Sequence, residues 1–208
     1  MSLLTPWGYT LTNANDLSDI LTVADFNTRT ANKYASDSRV AGAIASASQA
    51  IRDNVGWHLL PSAACEMQTS FFDKRVTLVD RSAHIQLPSR YVTAITSIAI
   101  GDQDYPAYYL ESNGLLKVFG VLYSRVSPYA VIKIKYTAGL PDALSNTLKD
   151  IVVNRAVKSL AQSYGIQSET AGGLSISYSA SWSNDASSST LSPAEEAALA
   201  PYRLRGVF

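Results

Sequence analysis

His58, His84 and Cys65 are the chain's two histidines and its single cysteine, the residue types that supply a general base or a thiolate near neutral pH. A hydrolase of the Cys/His type needs the two kinds joined and an activating local motif around the thiol. No such motif surrounds Cys65, which reads as a small buried apolar residue. His58 follows Trp57 just past a predicted helix end, where the backbone dipole favours a cation, and His84 falls at a surface position of a predicted strand. Asp102 and Asp104 flank Gln103 without the acidic ladder and closing glutamate of a calcium loop, so they read as turn formers. Glu195-Glu196 fits the first turn of a helix better than a hydrolytic carboxylate pair. Gly172-Gly173 lacks the lysine and following helix of a phosphate loop and reads as a hinge. The expectation is a protein that is not an enzyme, with no catalytic residue, cofactor or metal.

The twelve tyrosines and three tryptophans are the next candidates, since aromatic faces stack on sugars and on single-stranded bases. Most lie in strand-like segments, where aromatic residues are favoured for packing alone. A different use is suggested by the last seven residues, Tyr202-Arg203-Leu204-Arg205-Gly206-Val207-Phe208, which alternate aromatic, cationic and apolar groups after a Ser/Asn-rich stretch. This pattern predicts a docking tail whose contacts are Tyr202, Arg203, Leu204, Arg205, Val207 and Phe208. Two arginines alone are a weak footprint for nucleic acid.

The 208-residue chain is 47% hydrophobic and 16% charged, a composition that folds and leaves a rather neutral surface. Seventeen basic side chains balance seventeen acidic ones, so no net field draws it to nucleic acid or an anionic membrane. One cysteine excludes an internal disulfide and fits a reducing compartment. Met1–Trp7 lacks the cationic start and apolar core of a secretory signal, and no apolar run approaches the roughly 20 residues that cross a bilayer. The expectation is a soluble, non-secreted protein.

The elements that would position these residues follow from period and punctuation. Residues 1–21 read as an N-terminal extension. Thr22-Val23-Ala24-Asp25 caps a first helix near 22–35 with Val23, Phe26 and Thr30 on one side, and Asp37-Ser38 caps a second with Val40, Ile44, Ala47, Ile51 and Val55 in a stripe, ending at Gly56. Together 22–63 form the helical part of the core. Residues 64–137 read as a β-rich insert containing Val92–Ile100, the hairpin Tyr108–Leu110 with Leu115–Phe119 across Asn113-Gly114, and Ala130–Tyr136. Gly139-Leu140-Pro141-Asp142 opens a third helix with Leu144, Leu148, Ile151, Val152, Ala156 and Leu160 buried. Within 138–179 that helix is followed by Leu174-Ser175-Ile176-Ser177-Tyr178-Ser179, a strand with no hairpin partner beside it in sequence. Its partner is then either an open edge of its own sheet or a neighbouring subunit; the expectation is that Leu174, Ile176 and Tyr178 form an inter-subunit strand, with Gly172 and Gly173 as its hinge. Residues 180–208 read as a flexible linker, a short helix capped at Ser192-Pro193-Ala194-Glu195, and the docking tail. The fold class expected is α+β: a helical core of two N-terminal helices and a long third helix, an inserted antiparallel β-sheet region and an extended C-terminal arm.

This arrangement resembles the head–tail connector proteins of tailed bacteriophages, also called adaptor or head-completion proteins. The resemblance rests on the helix pair at Leu21–Gly56, the β-rich region, Val131-Ile132-Lys133-Ile134-Lys135-Tyr136-Thr137-Ala138-Gly139-Leu140-Pro141 leading into a helix, and Ser168–Tyr178 after it. It implies a structural virion protein at the neck, made in the host cytoplasm. It further implies a homo-oligomeric ring, commonly twelve-fold, that binds the portal protein and a downstream neck or tail protein. Such a ring surrounds double-stranded DNA without reading its sequence, and a C-terminal extension can reach onto the portal. Two alternatives stand beside it: a tail terminator or tail-completion ring protein, and a carbohydrate- or peptide-binding β module using Trp57, Trp182 or exposed tyrosines.

Overall fold

The computed structural model describes residues 3–12, 17–121, 127, 129–161, 168–171, 174–177 and 191–204. The chain forms two compact units, each built from separated stretches: one from 1–18, 56–142 and 202–208, the other from 19–55 and 143–201.

The first unit is β-rich, with three strands of eight or nine residues at the centre of its larger sheet and shorter ones elsewhere. Its larger sheet contains β1 (Leu3–Leu4), β2 (Thr10–Leu11), β3 (Ala63–Ser70), β6 (Val92–Ile100), β7 (Gln103–Asp104) and β10 (Val131–Ala138), in the order β1-β2-β3-β10-β6-β7. The smaller sheet contains β4 (Val76–Val79), β5 (Ser82–Gln86), β8 (Tyr108–Leu110) and β9 (Leu115–Phe119), in the order β4-β5-β9-β8. All pairings are antiparallel. In strand β10, Ile132, Ile134, Tyr136 and Ala138 are buried while Val131, Lys133 and Lys135 are exposed, the period-two pattern of a strand with one covered face. Cys65, Met67, Ile98, Ile100, Ile132, Ile134 and Tyr136 of the larger sheet share one core with Val76, Ala83, Ile85, Leu116 and Val118 of the smaller. Burial raises the Tyr136 phenol well above its usual range, and its hydroxyl lies 3.2 Å from Ser89 Oγ.

Within the N-terminal stretch, Leu3–Leu4 and Thr10–Leu11 are strands of this sheet. Thr10 and Leu11 pair with Glu66 and Cys65, the Thr5 hydroxyl and backbone N–H both donate to the Tyr9 carbonyl, and Gly8, at φ +86°, lies beneath the Arg75 guanidinium.

The second unit holds the helices α1 (Val23–Arg29), α2 (Val40–Val55), α3 (Asp142–Ala161, whose first residue ends the other unit) and α4 (Pro193–Leu199), with the hairpin β11 (Ser168–Ala171) and β12 (Leu174–Ser177). Thr22 caps α1 by accepting from the Asp25 N–H. The helix stops well short of residue 35, because Ala31 and Asn32 take left-handed φ values of 51° and 59°. Phe26 is its buried anchor, whereas Val23 is exposed. Asp37 accepts from the backbone and guanidinium of Arg39 at the approach to α2, and the Val40, Ile44, Ala47, Ile51, Val55 stripe is buried as its spacing predicts. On α3 the buried apolar positions among the described residues are Leu148, Ile151, Val152, Ala156 and Leu160, while Leu144 is exposed. Arg29 pairs with Asp150, and Arg155 with Glu195 at 3.2 Å.

The expectation of a helical core carrying a β insert is therefore corrected: the chain is mainly β, with two antiparallel sheets enclosing the main apolar core. The helical stripes dominated the reading because 3.6-residue periods are visible within one segment. The partners that make strands into a sheet can lie far apart in sequence, as β3 and β10 do.

Candidate docking site at the C-terminus

The site begins where α2 ends. Gly56 follows Val55 at φ +82°, the left-handed position that closes helices and suits glycine. Trp57 and His58 follow, both fully buried. The next residue, Leu59, is a buried non-glycine at φ +62°, and the Leu60 N–H donates across it to the His58 carbonyl at 2.8 Å. This is a γ-turn with a left-handed centre, a rare and strained conformation.

Three hydrogen-bonded supports hold the turn. The His58 N–H donates to the Tyr9 hydroxyl oxygen at 3.0 Å, and that oxygen is also 2.7 Å from His58 Nδ1. His58 Nε2 lies 2.9 Å from the Ala138 carbonyl, which only accepts, so Nε2 carries a proton, and in the neutral ring Nδ1 accepts from the Tyr9 hydroxyl. The Leu140 N–H donates to the Leu59 carbonyl at 2.8 Å. Thus the N-terminal stretch, the end of β10 and the 57–60 turn are tied at one histidine. Expected just past a helix end, His58 instead has its ring in an internal hydrogen-bond bridge. Sequence alone gave no local signal for this, since Tyr9 and Ala138 have no periodic relation to it.

On this platform Trp57 stacks against Tyr91, with ring centroids 6.1 Å apart and 20° between planes. The C-terminal peptide returns here. Trp57 Nε1 donates to the Tyr202 carbonyl at 2.9 Å, the Tyr202 ring lies 6.4 Å from that of Tyr91, and Arg90 Nη1 reaches the Arg203 carbonyl at 3.5 Å. A Cβ added to Gly56 would meet Leu204 Cδ1 at 3.9 Å. Tyr202, Arg203 and Leu204 are each half-buried. The first half of the predicted docking tail therefore rests on the chain's own β-rich unit, while Arg205, Val207 and Phe208 lie outside the described residues.

The other expected sites are scattered. Leu174 and Ile176 lie in β12, but this strand has a hairpin partner: Ala171 pairs with Leu174 and Glu169 with Ile176. The expectation of a strand without a neighbour in sequence is corrected, the miss arising because Ser168-Glu169-Thr170-Ala171 has no apolar alternation to mark it. Tyr178, Gly172 and Gly173 lie outside the described residues. Cys65 is buried in β3, with its thiol directed to the Ala63 carbonyl. His84 is partly exposed on β5, 3.2 Å from Ser82 Oγ. Asp102 follows Gly101 in a turn, and Asp104 pairs with Ala99. Glu195 completes a reciprocal cap with Ser192; burial pushes its carboxyl up, but the Ser192 hydrogen bonds and Arg155 outweigh this and leave it below the usual range. Burial also removes Trp57 from any sugar-stacking surface.

The arrangement is chemically a peptide seat: an indole donor and a guanidinium directed at successive carbonyls, with an aromatic face and a glycine-floored apolar contact beside them. No family model matches the chain, and a search of curated proteins finds no match to its sequence.

Proposed function

We propose that this chain is a structural virion protein, a head–tail connector subunit that forms a ring below the portal, extends the DNA channel and offers an attachment surface to the tail. The order of elements supports this reading: a capped helix pair, a β-rich region, and a strand passing through Gly139-Leu140-Pro141 into a long helix.

The observation that carries it is the exposed apolar surface of the β-rich unit. Beyond the Ser70–Val131 pair, Phe72 and Tyr129 stand with rings 5.5 Å apart, 67% and 79% exposed. On the smaller sheet Tyr109 and Phe119 are also exposed. Large aromatic groups held together in water are unfavourable for a free chain and are stabilised when neighbouring subunits cover them. The balanced charge also suits a channel wall, since tight phosphate binding would stall moving DNA.

The test is electron microscopy of the portal ring from the same virus mixed with the full-length chain, a chain lacking 205–208 and one lacking 201–208. Added ring density with the full-length chain, weakened in both truncations, is the expected result. No density with any chain overturns the connector reading, and density retained by both truncations overturns the tail's part in attachment.

A further inference from the structure

We infer that the seat formed by Gly56, Trp57, Arg90 and Tyr91 is a peptide-binding site that also takes Tyr202-Arg203-Leu204 from a second copy of this chain, so that copies are strapped together by exchanged C-termini.

The occupant is identified by what already sits there. Trp57 and Arg90 both reach peptide carbonyls, those of Tyr202 and Arg203, and the remaining contacts are a ring against Tyr91 and a leucine over Gly56. An identical peptide from another copy satisfies every one of these contacts, the condition for low-cost exchange of an element between protomers. The seat is supported independently of the peptide's own contacts: the strained turn at Leu59 is fixed through His58 to Tyr9 and Ala138, and Trp57 stacks on Tyr91 beside it. Strain of this kind marks places where a side chain is being held for use.

The peptide is, by contrast, a short contribution to this unit. The β-rich unit is otherwise made of 1–18 and 56–142, and 202–204 are the only described residues it receives from the C-terminus. Helix α4 runs directly into the peptide through a 3-10 turn at Ala200–Tyr202, so an exchanged arm carries that turn with it, while the Ser192–Glu195 capping box fixes the other end of the helix. A three-residue contact is weak for isolated copies and becomes effective when copies are held near one another, where the local peptide concentration reaches about the millimolar range.

This inference does not rest on the virion reading, and its test uses no portal. A fluorescein-labelled synthetic peptide of residues 201–208 is titrated, by anisotropy, into the full-length chain and into a chain lacking 201–208. Saturable binding to the shortened chain is expected, about ten-fold weaker with the full-length chain because its own peptide competes. Trp57→Phe, which keeps a ring but removes the donor, and Tyr91→Ala should each weaken binding by about five-fold or more, with circular dichroism confirming the fold. A tagged shortened chain should also retrieve a full-length Tyr91→Ala chain, whose tail is intact and whose seat is impaired. Absence of saturable binding on a folded shortened chain, binding indifferent to both substitutions, or failure of that retrieval overturns the inference.

Discussion

The indole N–H of Trp57 donates to the backbone carbonyl of Tyr202 at 2.9 Å, across 145 positions of sequence. The bond ties the residue just past a helix end to the first residue of the C-terminal peptide. Replacing Trp57 by Phe keeps an aromatic ring against Tyr91 but leaves a half-buried carbonyl without this donor, a loss of about 1 kcal/mol. The peptide should then leave its seat more often, and trypsin should cut after Arg203 about five-fold faster. A digestion time course followed by mass spectrometry checks this, and an unchanged cleavage rate would show that the bond does not hold the peptide.

Tyr9 and His58 make the second long-range tie. Tyr9→Phe removes one oxygen and strands two buried groups, the His58 N–H and Nδ1, so a loss of about 1–3 kcal/mol is expected. Tyr129→Phe is the control, because its hydroxyl is on an exposed ring and should change stability by no more than about 0.5 kcal/mol. Urea denaturation of both variants measures the difference. Equal midpoints would mean that the bridge contributes nothing to the fold.

These two ties explain why sequence reading recovered elements better than architecture. The α2 stripe from Val40 to Val55, the Asn113-Gly114 hairpin and the Ser192 cap depend on neighbours within a few residues, and all three are present. The pairing of β2 with β3, and of Trp57 with Tyr202, depends on contacts between segments that carry no mutual signature. Two-residue strands such as Thr10–Leu11 are too short to display alternation. The tail's composition led to the expectation of a docking peptide, but nothing in it indicated that Tyr202 would rest on its own chain.

Glycines test the packing at two contrasting positions. At Gly139 an added Cβ would lie 2.3 Å from Ser62 Cα and 2.8 Å from its N, so backbone would have to separate. Gly139→Ala should cost about 2 kcal/mol or more, in the range of overpacked cores. At Gly42, within α2, an added methyl meets nothing within 4 Å, and Gly42→Ala should stabilise the chain by about 0.5–1 kcal/mol through helix propensity. Thermal melts should move in opposite directions. A common direction would contradict the close approach of Gly139 to Ser62.

The turn between β3 and β4 supplies a pH dependence. The Arg75 guanidinium bonded to Asp73 holds that carboxyl well below the usual carboxylate range, aided by the Arg75 N–H and the Thr69 hydroxyl. A carboxylate with a depressed folded-state pKa binds fewer protons folded than unfolded, so its contribution is complete above the unfolded value of about 3.9 and is lost as pH falls below it. Solvent at this turn limits the contribution to about 1 kcal/mol. Asp73→Asn should therefore be less stable than the parent chain at pH 6, with the gap closing steadily between about pH 4 and pH 2. Other carboxylates, including Glu195 and Glu111, are held low as well, so both chains will weaken in acid, and the informative quantity is the difference between them. A gap that stays constant across this range would assign the loss to packing at the turn, because only the ionised carboxylate carries the interaction with Arg75.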